Sequence, residues 1–529
     1  MEKKAVKNIW MLSREYGELA GAGGVKDVVY QLSKALACLP DYSVKVVLPY
    51  YGFMEDLVDD FVPVKDPFSR ARSLQLSIPM NEPGRLVSEP VSFCYARREN
   101  VHIYLIKALR FTEKRSVYTY TKQEENGWKK LAAGHHDYFA MNLLLQKGAL
   151  ELIIALGEHP DVLHCHDGHT ALVPALVREL AGYRTYFRKT RCLTTIHNAG
   201  LGYHQEIADI DYARAITGFP DEVVANYQLD AKFDPLLVAG AFAPVNTVSE
   251  NYAFELQHSN GDQLTGWLGH EFNKRGILLE GVTNGIDPDY FSPMADSIEE
   301  ELRFDPADPQ EELAGKDNCK KRLFQDRRDL VSYDGVQRFG CLSASPDGPL
   351  FTFVGRLNEQ KGVDVLLEVL PMFLLQYPKA TFAILGSGDL TFESRLAELA
   401  AAPVTAGRIC YFCGFSPELA SLVYRAGDYF VIPSRYEPCG LTDFIAQLYG
   451  SIPVVNHVGG LVKVVDGVTG LAFNGATPDA LLGGLQRACA LEQQLPTKRE
   501  MQRRAVEIIN KQYTWSKVVY NYLDLYARK

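Results

Sequence analysis

The chain has 529 residues, more than one hydrophobic core normally supports, so two domains are expected. Hydrophobic residues make up 47% and charged residues 23%, an ordinary globular balance. A formal net charge of −10 argues against a nucleic-acid partner, since such binding draws on Lys and Arg, and no apolar stretch reads as long enough to cross a bilayer.

In chain order, Met1-Glu-Lys-Lys-Ala-Val-Lys-Asn-Ile-Trp10 runs almost at once into a first strand, which leaves no room for a signal or transit peptide. Ten scattered cysteines, several inside apolar runs such as Arg191-Cys-Leu-Thr-Thr195, read as reduced thiols, and a cytoplasmic location is expected. Cys410-x-x-Cys413 has no second pair at zinc-finger spacing. Val44–Leu48, Val101–Ile106, Val162–Cys165 and Leu193–Ile196 read as buried parallel strands, with amphipathic helices over Asp27–Leu39 and Tyr138–Leu156 between them. Residues Asp296–Gln325 are acidic and then polar, which predicts an exposed insertion, and a further polar stretch covers Ser343–Gly348. Strand patterns resume at Leu350–Val354, Ala380–Leu385, Tyr429–Ile432 and Ile452–Val455. A last helix near Trp515–Tyr526 is aromatic on one side.

This alternation predicts an α/β protein of two doubly wound Rossmann-like domains facing a central cleft. The expected boundaries are 1–278 for the first, with the C-terminal helix 508–529 crossing back onto it, and 279–507 for the second. Ligands of such sheets bind beyond the carboxyl ends of the strands, where five motifs fall.

Gly23-Gly24-Val-Lys-Asp27 follows the first strand, and paired glycines before a helix permit close backbone approach to a ligand. His164-Cys-His166-Asp167-Gly-His169 invites a metal reading, with His197 and His204 as further ligands, but polar residues lining a sugar site explain it as well. His197, in Thr194-Thr-Ile-His-Asn-Ala-Gly200, stands at a strand end where it can donate to a hydroxyl or act as general acid or base. Arg356 and Lys361, in Phe353-Val-Gly-Arg-Leu-Asn-Glu-Gln-Lys-Gly362, are cations suited to a departing diphosphate, Arg as a fork and Lys as a point charge. In Pro433-Ser-Arg-Tyr-Glu-Pro-Cys-Gly-Leu-Thr442, Glu437 is placed to bind sugar hydroxyls, and Gly440 before a helix offers amides and a dipole to phosphate.

Together with Thr247-Val-Ser249, Gly281–Asp287, Leu385-Gly-Ser-Gly-Asp389 and Gly459-Gly-Leu461, these strings resemble the bacterial and plant glycogen/starch synthases over nearly the full chain. The resemblance implies a GT-B fold and transfer of glucose, with retention, from ADP-glucose rather than UDP-glucose to the non-reducing end of an α-1,4-glucan. It implies no cofactor and no metal. Arg356 and Lys361 match the family's phosphate-binding pair, Glu437 its sugar-contacting carboxylate, His197 the histidine beside the transferred glucose, and Asp167 the acid of its HDW motif. Gly23, Gly24 and Asp27, Phe415 at the base, and Cys439, Gly440, Leu441 and Thr442 at the phosphates complete the expected nucleotide-sugar site. Three departures fall in the first domain: Gly21 stands where relatives carry a lysine, Gly168 where they carry a tryptophan, and Asp137–Asn142 differs from the usual pattern. Lys26, nearby, is expected to point elsewhere. The alternatives are a transferase using UDP-glucose or a short oligosaccharide acceptor, a weakened glucan-binding regulatory homologue, and a metal-dependent hydrolase built on the histidine cluster.

Overall fold

A computed structural model describes residues 7–69, 72–325, 333, 335–343 and 346–528. The opening residues before Lys7, and residues 344–345 of the polar stretch Ser343–Gly348, lie outside the described residues. The chain divides into two compact units, one running to Gly285 and resuming at Trp515, the other spanning Ile286–Thr514.

The first unit is built on a ten-stranded sheet. Its strands are β1 (Asn8–Leu12), β2 (Ser43–Pro49), β3 (Val62–Pro63), β4 (Gln75–Pro79), β5 (Ser88–Arg98), β6 (Val101–Lys107), β7 (Val162–His166) and β8 (Arg191–Ile196). After a separate two-stranded ribbon, β9 (Gln228–Leu229) with β10 (Lys232–Phe233), come β11 (Val245–Thr247) and β12 (Leu279–Gly281). The parallel strands run β6-β2-β1-β7-β8-β11-β12, which by order of appearance is the Rossmann sequence 3-2-1-4-5-6 with one strand more. Trp10, Met11, Leu12 and Val46–Leu48 are fully buried, because parallel strands covered on both faces must be near-continuous apolar runs. β12 pairs with β11, so this unit continues past residue 278. β3, β4 and β5 form an antiparallel edge.

One apolar helix, Tyr138–Ala155, is in fact long and apolar enough by composition to span a bilayer, but 78% of it is buried within the protein, where it serves as a core helix. The C-terminal helix Trp515–Ala527 belongs to the first unit: Trp515 Nε1 donates to Gln31 Oε1 at 2.7 Å, and Arg191 Nη1 to the Tyr526 carbonyl at 2.9 Å.

The second unit holds a seven-stranded sheet made of β13 (Val336–Gly340), β14 (Leu350–Val354), β15 (Thr381–Gly386), β16 (Ile409–Gly414), β17 (Tyr429–Ile432), β18 (Ile452–Asn456) and β19 (Leu471–Phe473). Its order is β13-β16-β15-β14-β17-β18-β19, with only β13 antiparallel. The parallel part is again 3-2-1-4-5-6. Phe351 at its centre stacks on Phe382 and Tyr429, with ring centroids 5.0 and 5.2 Å away. Cys410 and Cys413 lie on β16, three residues apart and therefore on opposite faces, and all ten cysteines are free thiols.

Residues 296–325 are not an exposed insertion. Leu302, Phe304, Leu313, Cys319, Leu323 and Phe324 join one core cluster of the second unit. Two lysines of helix Ala314–Gln325, Lys316 and Lys320, are buried with two strong acceptors each. Lys316 Nζ donates to the carbonyls of Arg425 and Tyr449 at 2.9 and 3.0 Å, and Lys320 Nζ to the Gly348 carbonyl at 2.7 Å and Asp428 Oδ2 at 2.6 Å. Burial pushes the Asp428 carboxyl up, but the ammonium groups of Lys498 and Lys320 outweigh it and hold the group below its usual range.

Candidate functional site

In each sheet the order reverses between the first and fourth parallel strands, the switch point at which doubly wound sheets bind ligands. In the second unit this is the gap between β14 and β17. The loop after β14 carries Arg356, exposed, and Lys361, whose backbone N–H is capped by Asn358 Oδ1 at 3.0 Å. The loop after β17 carries Glu437, which is buried. Lys361 Nζ reaches across to Glu437 Oε2 at 2.6 Å, and the same carboxylate oxygen accepts from Ser434 Oγ at 3.1 Å. An ammonium has three donors, so Lys361 retains capacity for a ligand while anchored to Glu437.

Arg435, within the motif but not singled out in sequence, ties the two loops together. Its guanidinium forks onto Asp364 at 2.7 and 2.6 Å and donates to the Glu359 carbonyl at 2.8 Å, while its backbone N–H donates to the Gln360 carbonyl at 2.8 Å. Gly440 is the N-cap of helix Leu441–Leu448 in left-handed conformation, φ 75°, and a Cβ there would come within 2.7 Å of Leu461 and 2.8 Å of Asp443. Thr442 therefore lies inside the helix rather than at its cap. Lys463, also missed in sequence, holds this turn: its Nζ donates to the carbonyls of Cys439, Gly440 (2.8 Å) and Gly460 (3.0 Å) and to Asp443 Oδ1 (3.0 Å). Burial raises the Asp443 carboxyl to about 6 despite that ammonium. Phe415 follows β16 with 62% of its surface exposed, free to stack on a planar group.

In the first unit the switch point lies between β1 and β7. The glycine loop after β1 is held from below by Glu15, whose Oε2 accepts the N–H groups of Ala22 at 2.7 Å and Gly23 at 3.1 Å. Tyr118 donates its hydroxyl to the other oxygen of Glu15. Neither Gly23 nor Gly24 needs a left-handed backbone; Gly24 has φ −68°, and a Cβ on Gly23 would meet nothing within 4 Å. Asp27 lies in the first turn of helix Val25–Ala37, and burial raises its carboxyl to about 6. Lys26 does not point away as expected: a Cβ on Gly21 would lie 2.3 Å from Lys26 Cδ, so the lysine stem lies over that glycine.

Asp167 ends β7 with φ 59° and accepts the His197 N–H on Oδ1 at 2.6 Å, which joins the ends of β7 and β8. Burial raises its carboxyl to about 7. Gly168 is fixed by packing: a Cβ there would come within 2.3 Å of the His204 carbonyl oxygen, so the backbone of residues 203–204 fills the space a larger side chain would take.

Most of the bonds these histidines make are to groups within the protein. His164 places Nε2 2.7 Å from Thr195 Oγ1 and Nδ1 2.8 Å from the Tyr526 hydroxyl, and His166 Nδ1 is 2.9 Å from His197 Nε2. His204 uses both nitrogens, Nδ1 to Asp234 Oδ2 at 2.6 Å and Nε2 to the Ala199 carbonyl at 2.8 Å. Among the described residues no group of three or more His, Cys, Asp or Glu side chains is arranged to hold a metal ion. His197 is 7% exposed, and burial lowers it to about 3, so it is neutral near pH 7.

Comparison with known proteins accords with this architecture. The starch synthase catalytic domain model matches residues 8–270, and the glycosyl transferases group 1 model matches residues 348–490. A glycogen synthase of Geotalea uraniireducens is 30% identical over 539 residues, 98% of either chain. Glycogen synthase 2 of Geobacter sulfurreducens is 33% identical over 394 residues, 72% of this chain and 74% of the other. Among solved structures, the catalytic domain of starch synthase IV from Arabidopsis thaliana, bound to ADP and acarbose, is similar with a TM-score of 0.77 at 24% identity, covering 99% of both chains. Sucrose-phosphate synthase from Thermosynechococcus elongatus is similar with a TM-score of 0.56 at 17% identity, covering 98% of both. The fold is GT-B. On the match along its whole length, the chain belongs to the glycogen/starch synthase family of hexosyltransferases.

Proposed function

We propose that the chain transfers glucose, with retention, from ADP-glucose to the non-reducing end of an α-1,4-glucan. The observation that carries this reading is the pairing of Lys361 with Glu437 at 2.6 Å across the switch point of the second sheet. One loop presents cations suited to a diphosphate and the other a carboxylate suited to sugar hydroxyls, in contact with each other. Arg356 and Lys361 bind the diphosphate and stabilise the charge that grows on it as the C1–O bond breaks. The turn Cys439–Thr442 offers the N-terminal amides of its helix to the same phosphates. Phe415 stacks on the base, and the ADP held by the starch synthase IV structure supports that nucleotide over UDP. The acceptor hydroxyl attacks C1 on the face from which the diphosphate leaves and passes its proton to the departing phosphate oxygen, so no protein nucleophile is required. Gly23 and Gly24 lie in an exposed loop open to close approach by the nucleotide sugar, with Asp27 in the first turn of the helix that follows. Asp167 positions His197, which donates to the transferred glucose. The ten free thiols fit a cytoplasmic enzyme.

The test is incorporation of label from ADP-glucose or UDP-glucose into glycogen by the purified protein. Label from ADP-glucose, at a higher kcat/KM than from UDP-glucose, is the expected result. A preference for UDP-glucose would overturn the donor assignment, and tight glycogen binding without incorporation from either donor would make the protein a glucan-binding homologue.

A further inference from the structure

Three histidines stack at the ends of β7 and β8, and their hydrogen bonds settle which nitrogens carry protons. Thr195 Oγ1 donates to Asn246 Oδ1 at 2.7 Å, so it accepts from His164, whose proton is therefore on Nε2. His164 Nδ1 is then bare and accepts from the Tyr526 hydroxyl. His164 is complete on both sides, and its ring lies 4.2 Å from that of His166.

Between His166 Nδ1 and His197 Nε2, 2.9 Å apart, there is room for one proton. Burial holds both rings neutral, His166 well below its usual value and His197 at about 3, so each carries a single N–H. The remaining nitrogen of His166, Nε2, is sealed from solvent with no hydrogen-bond partner among the described residues. A proton there would be a buried donor without an acceptor, the rarer and costlier kind of unsatisfied group, whereas a bare ring nitrogen is the milder one.

We infer that His166 is a positioning residue whose Nδ1–H donates to His197 Nε2 and so fixes His197 in the Nδ1–H tautomer. Among the described residues nothing bonds His197 Nδ1, so the ring offers a neutral donor to an oxygen acceptor such as a sugar hydroxyl. It offers no lone pair there, and His197 cannot take the proton of an attacking hydroxyl at that nitrogen. This inference rests on the proposed reading of His197 as the partner of the transferred glucose, and it narrows the choice between donor and base to donor.

The experiment is long-range 1H–15N spectroscopy of the full chain labelled at the histidine ring nitrogens, with His197 identified by the signals lost in His197→Gln. A protonated Nδ1 and bare Nε2 on His197 at neutral pH are expected; the reverse would overturn the inference. His166→Leu should release His197 to the other tautomer and lower kcat by about 10- to 100-fold, the range that holds for partners orienting metal-ligating histidines. His166→Asn, which returns an N–H near the position of Nδ1, should restore both the spectrum and most of the rate. Unchanged tautomer and kinetics in His166→Leu would also overturn it. Absence of glucose transfer by the wild type would defeat the site reading, while the nitrogen spectrum still decides the tautomer.

Discussion

The two switch points are alike in topology and unlike in chemistry. In the second unit, opposite charges meet across the gap: Lys361 on Glu437, and Arg435 on Asp364, with Arg356 exposed beside them. In the first unit the ends of β7 and β8 carry neutral imidazoles, and the Asp167 carboxyl beside them is spent on a backbone amide. A diphosphate needs charge close at hand, whereas sugar hydroxyls are recognised by neutral donors and acceptors whose placement matters more than their charge. On the proposed reading, the same sheet order serves two tasks through what its loops carry.

The contrast can be broken in three places. Lys361→Ala removes the donor proposed to bind the departing diphosphate, and glucose transfer should fall by about 10³-fold, the upper range for loss of one such group. Far-UV circular dichroism should be unchanged; turnover near that of the wild type would place the phosphates elsewhere. The first unit does hold one charged histidine, remote in role from the neutral ones. Burial alone would lower His204, but the Asp234 carboxylate and the Ala199 carbonyl raise it to about 9. A raised folded value means that this contribution is full below the unfolded value of about 6.5 and is lost as pH rises through about 9. Urea unfolding should show a loss on the order of 2 kcal/mol between pH 6.5 and 10, largely absent in His204→Gln. An identical pH profile for the two proteins would contradict the ion pair. The smallest effect is expected at Lys26, whose stem covers Gly21 in an exposed loop. Lys26→Met should change kcat/KM by no more than about fivefold, as for a solvated charge. A loss of 100-fold would give the first unit a working cation and end the contrast.

Most of the fold was legible because buried parallel strands announce themselves: β14 and β17 are near-unbroken apolar runs, and the motifs begin where those runs stop. The antiparallel edge β3–β5 was not, since its half-exposed residues give no continuous apolar signal. Helix Ala314–Gln325 was misread for a related reason. Lys316 and Lys320 count as surface residues by composition, and only contacts with Asp428, Arg425 and Tyr449, over a hundred positions away in the chain, make their burial tolerable. The string around Arg356 and Glu437 identified the second switch point, but the groups that hold it, Lys463 and the Arg435–Asp364 fork, act through long-range contacts that no local pattern reveals. Gly168 shows the converse: a residue that reads as a deletion is required by the carbonyl of His204.

The central claim is that the cations beyond β14 bind the donor diphosphate, and the most direct measurement is calorimetric binding of ADP to the wild type and to Lys361→Ala. The account predicts saturable binding to the wild type and an affinity lower by about 10- to 100-fold in the variant, as for loss of a charge-assisted hydrogen bond. Equal affinity in the two proteins would contradict it.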